Sequence, residues 1–358
     1  MIGGGPAGLA AAIAARKRGL SVIVADGAQP PLDKACGEGL MPDGLAALQA
    51  LGLQLPLAES YPFCGVRFLS AALSAEAPFP GSGCGRAVRR IILHRFMIES
   101  AEQAGVEFLW RTPVTGISPT SVHLGKSTVR SRWIVGADGM HSRVRRWARL
   151  EKSSLPGLRF AFRRHYRVAP WTDHMEVYWG HRCQGYAVGV STEQVCVALA
   201  SHDPNLRLED GLPHLPRLRE RLAACEPVSM ERGAITGNRR LRRVWRGNVA
   251  LIGDAAGTVD AITGEGLGLA FRQAVALAHC LESGDLAPYQ LAHRRLMLRP
   301  LMMARLMLML DGRPRLQHPT LQLFQKCPQI FRRLLALHVG ALPASRFVHD
   351  GLSLGSGC

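Results

Sequence analysis

The chain has 358 residues, 47% of them hydrophobic and 20% charged, which is enough for two domains, or for one large domain with an insertion, around a sizeable core. Its formal net charge is +17, but doublets such as Arg89-Arg90, Arg145-Arg146, Arg163-Arg164 and Arg332-Arg333 are spread along the whole length. No basic run is interleaved with aromatics, so no nucleic-acid partner is expected; the charge suits anionic cofactors and anionic lipid. The nine cysteines contain no CxxC pair, which argues against a disulfide framework or a zinc site, and with no leader ahead of the first motif a reducing, cytoplasmic setting is expected.

The first motif opens the chain. In MIGGGPAG, Gly3, Gly5 and Gly8 form a GxGxxG, followed by an Ala/Leu-rich helix over 8–19 and an apolar run from Leu20 to Ala25 that ends at Asp26. This is the loop–helix–strand order of a dinucleotide-binding unit. Gly3 permits the tight turn, Gly5 lets the backbone approach a pyrophosphate, and Gly8 lets helix and strand pack closely; Pro6 and Ala7, in the same loop, count with them as cofactor-binding residues. The helix N-terminus offers free N–H groups to phosphates, and Asp26 is placed to hold ribose hydroxyls. A buried strand should deliver this loop, yet only Met1 and Ile2 precede it, so the expectation is a natural start further upstream.

Further along, 43–52 and 89–104 read as helices, Val106–Trp110 as a parallel strand, and Trp133–Val135 as a buried strand running into Gly136-Ala137-Asp138-Gly139. From 158 to 200 the pattern alternates, as in MEVYWG, GYAVGVS and QVCVALAS, and predicts antiparallel strands. Residues 205–232 read as helical or irregular. Asn248–Ile252 is again a buried strand, followed by GDAAG and a long helix stopped near Gly284. The predicted fold is α/β: a Rossmann-type FAD-binding domain (1–150 and 245–290) interrupted by an antiparallel-sheet substrate domain (151–244), then a helical tail (291–358). Within that tail, residues 296–310, LMLRPLMMARLMLML, are too short and too interrupted to cross a bilayer. They read either as a helix packed on the sheet with methionine filling gaps, or as an interfacial helix giving peripheral membrane association.

GADGMHSRVRR (136–146) and NVALIGDAAGTVDAITGEGLGLAFRQA (248–274) decide which dinucleotide is bound. Together with the glycine loop they resemble the signatures of the flavoprotein superfamily that holds the para-hydroxybenzoate-hydroxylase-like FAD monooxygenases and the geranylgeranyl reductases. The resemblance implies that Gly253 and Asp254 hold the ribityl chain of FAD, that Asp138 and Gly139 support its pyrophosphate region, and that Arg90 lies against the ribityl–phosphate region. It also implies that the Gly264-Glu265-Gly266 loop faces the flavin edge. Ala261 departs from the family's usual proline, which is expected to loosen this loop. Lys34-Ala35-Cys36-Gly37-Glu38-Gly39 looks like the reductase branch's KxCGxG, with Gly37 allowing close backbone approach and Cys36 read either as a proton donor at the flavin or as a small buried residue. Glu38 and Glu265 read as loop hydrogen-bonders, His141, His165, His174 and His181 as surface or core residues, and Tyr178, Trp179 and Tyr186 as candidate pocket wall. No metal site is expected.

The resemblance therefore implies an oxidoreductase with FAD as cofactor and NADH or NADPH as donor, reducing C=C bonds of a small apolar, isoprenoid- or polyketide-like substrate. Two alternatives stand beside it: a hydroxylase or epoxidase working through a flavin C4a-hydroperoxide, and a flavin-binding protein without turnover. The sequence leaves the oligomeric state open.

Overall fold

The computed structural model describes residues 1–151 and 157–343. The edge of the expected insertion at 152–156 and the end of the expected tail at 344–358, with Cys358, lie outside the described residues.

A parallel sheet forms the floor of the first layer. Ile23–Ala25 pairs in parallel with Glu107–Leu109, and Ile134–Gly136 with Val249–Leu251. Between these two pairs sits Ile2, bridged to Ala25 on one side and Gly136 on the other. Its N–H donates to Val135 O (2.8 Å), Ala137 N–H donates to Ile2 O (2.8 Å), and Ala25 N–H donates to Met1 O (2.9 Å). The strand expected ahead of the glycine loop is thus represented by two residues that bond to both neighbours. Helix Pro6–Arg16, nearly all small apolar residues, packs against helix Gly266–Ser283, and both are buried along most of their length.

The second layer is an eight-stranded mixed sheet. Strands Arg159–Arg167, Gln194–Ser201, Cys183–Ser191 and His174–Trp179 pair antiparallel in that order. The sheet also recruits Gly65–Leu69, parallel to His174–Trp179, and Ser74–Pro78 beyond it, strands that lie far ahead of the expected insertion. On the other edge, Glu226–Pro227 and Arg232–Thr236 pair with Arg159–Arg167, so the stretch expected to be helical or irregular ends in strand.

The tail is helical: Ala287–Leu310 with Pro300 inside it, Pro314–Lys326 and Pro328–His338. The last two cover the edge of the mixed sheet, stacking Phe324 and Phe331 beside Phe68 and Trp179. Among the described residues, no helix is long and apolar enough to cross a membrane.

Candidate functional site

Both layers open onto one cavity of about 710 Å³. At one end its wall is backbone. Gly3, Gly5, Pro6, Ala7, Gly37, Gly139, Gly253, Gly264 and Gly266 all line it. A Cβ on Gly8 would sit 1.9 Å from Gly3 O, so this residue is glycine because the helix must close on the turn beneath it. A Cβ on Gly5 would meet nothing within 4 Å on the protein side; it would project into the space a phosphate needs.

Side chains brace this loop from behind. Asp26 accepts from Gly4 N–H (2.7 Å) and Ala28 N–H (2.8 Å), so the carboxylate expected to hold ribose also fixes the turn. Buried His94 accepts from Leu32 N–H at Nδ1 (3.1 Å) and therefore donates from Nε2 to Gly4 O (2.7 Å). Burial holds its pKa below the usual histidine value, which keeps this donor–acceptor pattern intact. Asp138 accepts from Ser142 Oγ (2.6 Å), Arg143 N–H (2.7 Å) and Val144 N–H (3.1 Å), capping the short helix Arg143–Trp147 at the cavity wall.

Asp254 and Arg90 face each other across the polar part of the cavity. Asp254 is exposed and lines the cavity; desolvation by the surrounding protein raises its pKa, and Arg90 and Lys34 draw it back. Arg90 is 7% exposed and its Nε has no partner among the described residues. An orphaned guanidinium nitrogen, an open carboxylate and a glycine cradle are the donor set a phosphate–ribityl chain requires, so the residues present fit FAD.

Glu265, in the loop expected to face the flavin edge, is buried. Its carboxylate turns away from the cavity to Arg299 (3.1 Å), Arg272 (3.8 Å) and His338 (3.5 Å), leaving the backbone of Gly264 and Gly266 in the wall. The expected loosening at Ala261 is also not what the structure contains. Ala261 N–H donates to Thr236 Oγ1 (2.7 Å), a bond that proline could not make. Buried Arg159 holds the preceding Asp260 (2.8 Å), so the loop is clamped from the mixed sheet and from the tail helices at once.

The mixed-sheet end of the cavity is built from side chains: Cys36, Glu38, Trp179 and Tyr186 are joined there by buried arginines and a histidine. Strand Arg159–Arg167 turns Arg159, Arg163 and His165 to its inner face, each no more than 1% exposed. His165 Nε2 meets Glu38 Oε2 (2.7 Å), while Arg163 ion-pairs with Asp33 and lies 3.9 Å from Glu38. Glu38, at φ 64°, also accepts from Arg90 N–H (2.8 Å), and its own N–H donates to Cys36 Sγ (3.3 Å). Burial pushes the Cys36 thiol up and Cys196 further up, so both carry their protons at neutral pH. Glu38, His165 and Cys196 bring their ligand atoms within 4.8 Å of one another, a spacing a metal could use. In the structure the Glu38–His165 hydrogen bond and the Arg163 guanidinium, 3.9 Å from Glu38, occupy that corner. Trp179 and Tyr186 line the cavity, Tyr186 lying against Gly37 and Gly39; Tyr178 instead bonds buried Glu176.

From this polar floor the cavity continues between the sheet and the tail helices, past Phe68, Trp179, Met303, Leu306, Phe331 and Leu335.

A Rossmann-type cradle feeding an apolar chamber defines an FAD-dependent oxidoreductase. A family model described as an FAD binding domain matches residues 1–162. The chain is 30% identical over 330 residues to the menaquinone reductase of Mycolicibacterium smegmatis, covering 82% of this chain and 78% of that one. It is 31% identical over 173 residues to digeranylgeranylglycerophospholipid reductase 1 of Methanococcoides burtonii, 44% of this chain and 41% of that one. In fold it is similar to the flavin-dependent brominase Bmp2, with a TM-score of 0.82, 19% identity, and 98% and 97% of the two chains covered. The chain belongs to the flavoprotein reductase family that includes the mycobacterial enzyme, and FAD is its cofactor.

Proposed function

We propose that this protein reduces a C=C bond in the prenyl chain of an apolar isoprenoid lipid, a prenylated quinone being the first substrate to try. The observation that carries this reading is the continuity of the cavity: the polar, glycine-lined end that fits FAD opens directly into a chamber walled by Phe, Leu, Met and Trp side chains. A polar substrate would leave that chamber's surface unmatched, whereas a prenyl chain buries it at about 25 cal/mol per Å². The names of the relatives, a menaquinone reductase and a phospholipid reductase, point the same way.

In this reading Gly3, Gly5, Pro6 and Ala7 hold the pyrophosphate, Asp26 the ribose, and Asp254 and Arg90 the ribityl–phosphate chain, while Gly264 and Gly266 present N–H groups to the ring edge. Bound FAD, recharged by NADH or NADPH, supplies the hydride. The chain's own residues orient the alkene, exclude water and supply the proton, which Cys36, protonated by its burial, is placed to give.

The mouth of the chamber supports peripheral membrane contact. On helix Ala287–Leu310, Leu298, Met302, Leu306 and Met309 are exposed at spacings of one helical face, and Leu306 also lines the cavity. Met297 and Met303, on the opposite face, are buried, so the helix both packs on the protein and presents an apolar stripe, with Arg294, Arg295 and Arg305 exposed beside it.

The test is anaerobic incubation of the FAD-loaded protein with NADH or NADPH and a prenylated menaquinone, followed by exposure to air and mass analysis. Chain reduction leaves a product that keeps its added hydrogen pair in air; ring reduction gives a quinol that reverts. Recovery of unchanged quinone under every donor would overturn the reading. Sedimentation with anionic vesicles tests the membrane contact: binding that weakens with salt and is lost in Met302→Glu is expected, and no binding at low salt contradicts it.

A further inference from the structure

Saturating a C=C bond adds a hydride to one carbon and a proton to the other, and the acid that gives the proton must be recharged from water. At the cavity's corner Glu38 is buried and Cys36 is half-buried at the cavity wall, so bound cofactor and substrate would cover the thiol from bulk water. A second opening lies at the surface beside strand Arg159–Arg167. There a surface recess is lined by Arg164, Arg167, Glu226, Val228 and Ser229.

Ser229 connects the two. Its Oγ accepts from the backbone N–H of His165 (3.0 Å) and lies 2.9 Å from His165 Nδ1. Arg163 Nη1 is also 3.2 Å from that nitrogen, and an arginine can only donate. Nδ1 is therefore the acceptor, Ser229 donates its hydroxyl proton to it, and Nε2–H donates to Glu38 Oε2 (2.7 Å). Every hydrogen bond in the row points from the recess towards the cavity. The groups that face it from other elements are buried Arg90 and Cys196 and half-buried Asp33 and Cys36, with Arg232 reaching Asp33 from the edge strand (3.5 Å).

We propose that Ser229, His165 and Glu38 form a proton relay that carries a proton from the surface recess to the cavity wall beside Cys36. The proposal rests on the reductase reading for its purpose. A water proton enters at Ser229 Oγ as the serine's own proton passes to Nδ1; the Nε2 proton passes to Glu38, whose side chain lines the cavity and whose own N–H holds Cys36 Sγ (3.3 Å), so the proton arrives at the wall beside the thiol. One proton enters, one reaches the cavity, and no electrons move. The resulting Nδ1–H tautomer faces the Arg163 donor, which disfavours it; between turnovers, with the chamber open, Nδ1–H is lost through Ser229 to the recess and Nε2 takes a proton from cavity water, which restores the starting tautomer. Glu38, His165 and Ser229 are positioning residues that act through Cys36.

His165→Gln keeps a donor towards Glu38 and an acceptor towards Ser229 but cannot pass a proton. In dithionite-reduced, FAD-loaded protein mixed with a prenylated menaquinone, it should slow flavin reoxidation about 100-fold, with FAD content and the rate of flavin reduction unchanged. Ser229→Ala should slow it similarly, and Ser229→Thr should restore it. Wild-type reoxidation in His165→Gln or in Ser229→Ala overturns the relay. A second readout needs no turnover: nitrogen NMR of histidine-labelled protein should give His165 as the neutral Nε2–H tautomer, with its Nδ1 resonance shifted in Ser229→Ala. An imidazolium or an Nδ1–H tautomer overturns the relay even if the enzyme is active. If the wild-type protein reduces no prenylated substrate while the NMR pattern holds, the reductase reading fails and the relay geometry survives.

Discussion

The two ends of the cavity are built from different parts of the chain's chemistry. At the parallel-sheet end the wall is backbone: glycines, helix starts and N–H groups, with Asp26, Asp138 and His94 bracing them. At the mixed-sheet end the wall is side chain: Arg163, Tyr186 and Glu38 in front, with His165 and Arg159 behind. A backbone site recognises what the family shares, phosphates and a flavin edge, and tolerates little change in shape. A side-chain site can be rewritten residue by residue, and it holds the proton chemistry that a reaction on an apolar substrate needs.

That contrast yields graded expectations. The largest effect belongs to the backbone end. Gly8→Ala forces a Cβ against Gly3 O and should cost about 3 kcal/mol, with FAD lost on gel filtration; retention of stoichiometric FAD would show that the turn is not the rigid element argued for it.

Acid should produce a loss of nearly the same size. Burial lowers the pKa of His293 from 6.5 to about 4 and lowers that of His94 as well. The unfolded chain then binds protons first as pH falls below about 6.5, so stability declines from there down to about 4, by about 3 kcal/mol for His293. Urea midpoints at neutral and mildly acid pH measure it, and His293→Gln should flatten that limb. Because His94 orients Gly4, His94→Gln should flatten the acid dependence of FAD binding in particular.

Asp254→Asn should weaken FAD about tenfold, as the loss of one charged hydrogen bond at the open carboxylate, while leaving the unfolding midpoint of the cofactor-free protein in place. The smallest effect joins the two ends. Ala261→Pro removes the bond to Thr236 Oγ1 and should cost about 1 kcal/mol, and Thr236→Val should cost the same; in the Thr236→Val background the proline should cost nothing more.

The same contrast explains what the sequence made legible. The glycine loop, GADG and GDAAG each lie within a short stretch, so a strand–loop–helix pattern reveals them, and the cavity gathers them as expected. The partners of Glu265 leave no local trace, because Arg272, Arg299 and His338 sit on three different helices. Ala261 was misjudged because its compensating partner, Thr236, belongs to the other sheet. Strands Gly65–Leu69 and Ser74–Pro78 join a sheet whose other strands lie about a hundred residues on, and pairing at that distance leaves no local trace. His165 and Glu38 are separated by 127 residues. One signal was present: in RFAFRRHYR, Arg159, Arg163 and His165 occupy alternate positions, which places three polar groups on one face of a strand, a pattern that marks a buried polar site when the opposite face is also covered.

The central claim is that the apolar chamber exists to present a prenyl chain to the flavin. Anaerobic stopped-flow mixing of the reduced, FAD-loaded protein with a prenylated menaquinone and with its tail-less quinone tests it most directly. The account predicts that the prenylated compound reoxidises the flavin quickly and yields a chain-saturated product that survives air, while the tail-less quinone reacts far more slowly. Equal reoxidation by the tail-less quinone, with the prenylated compound recovered unchanged, would contradict it.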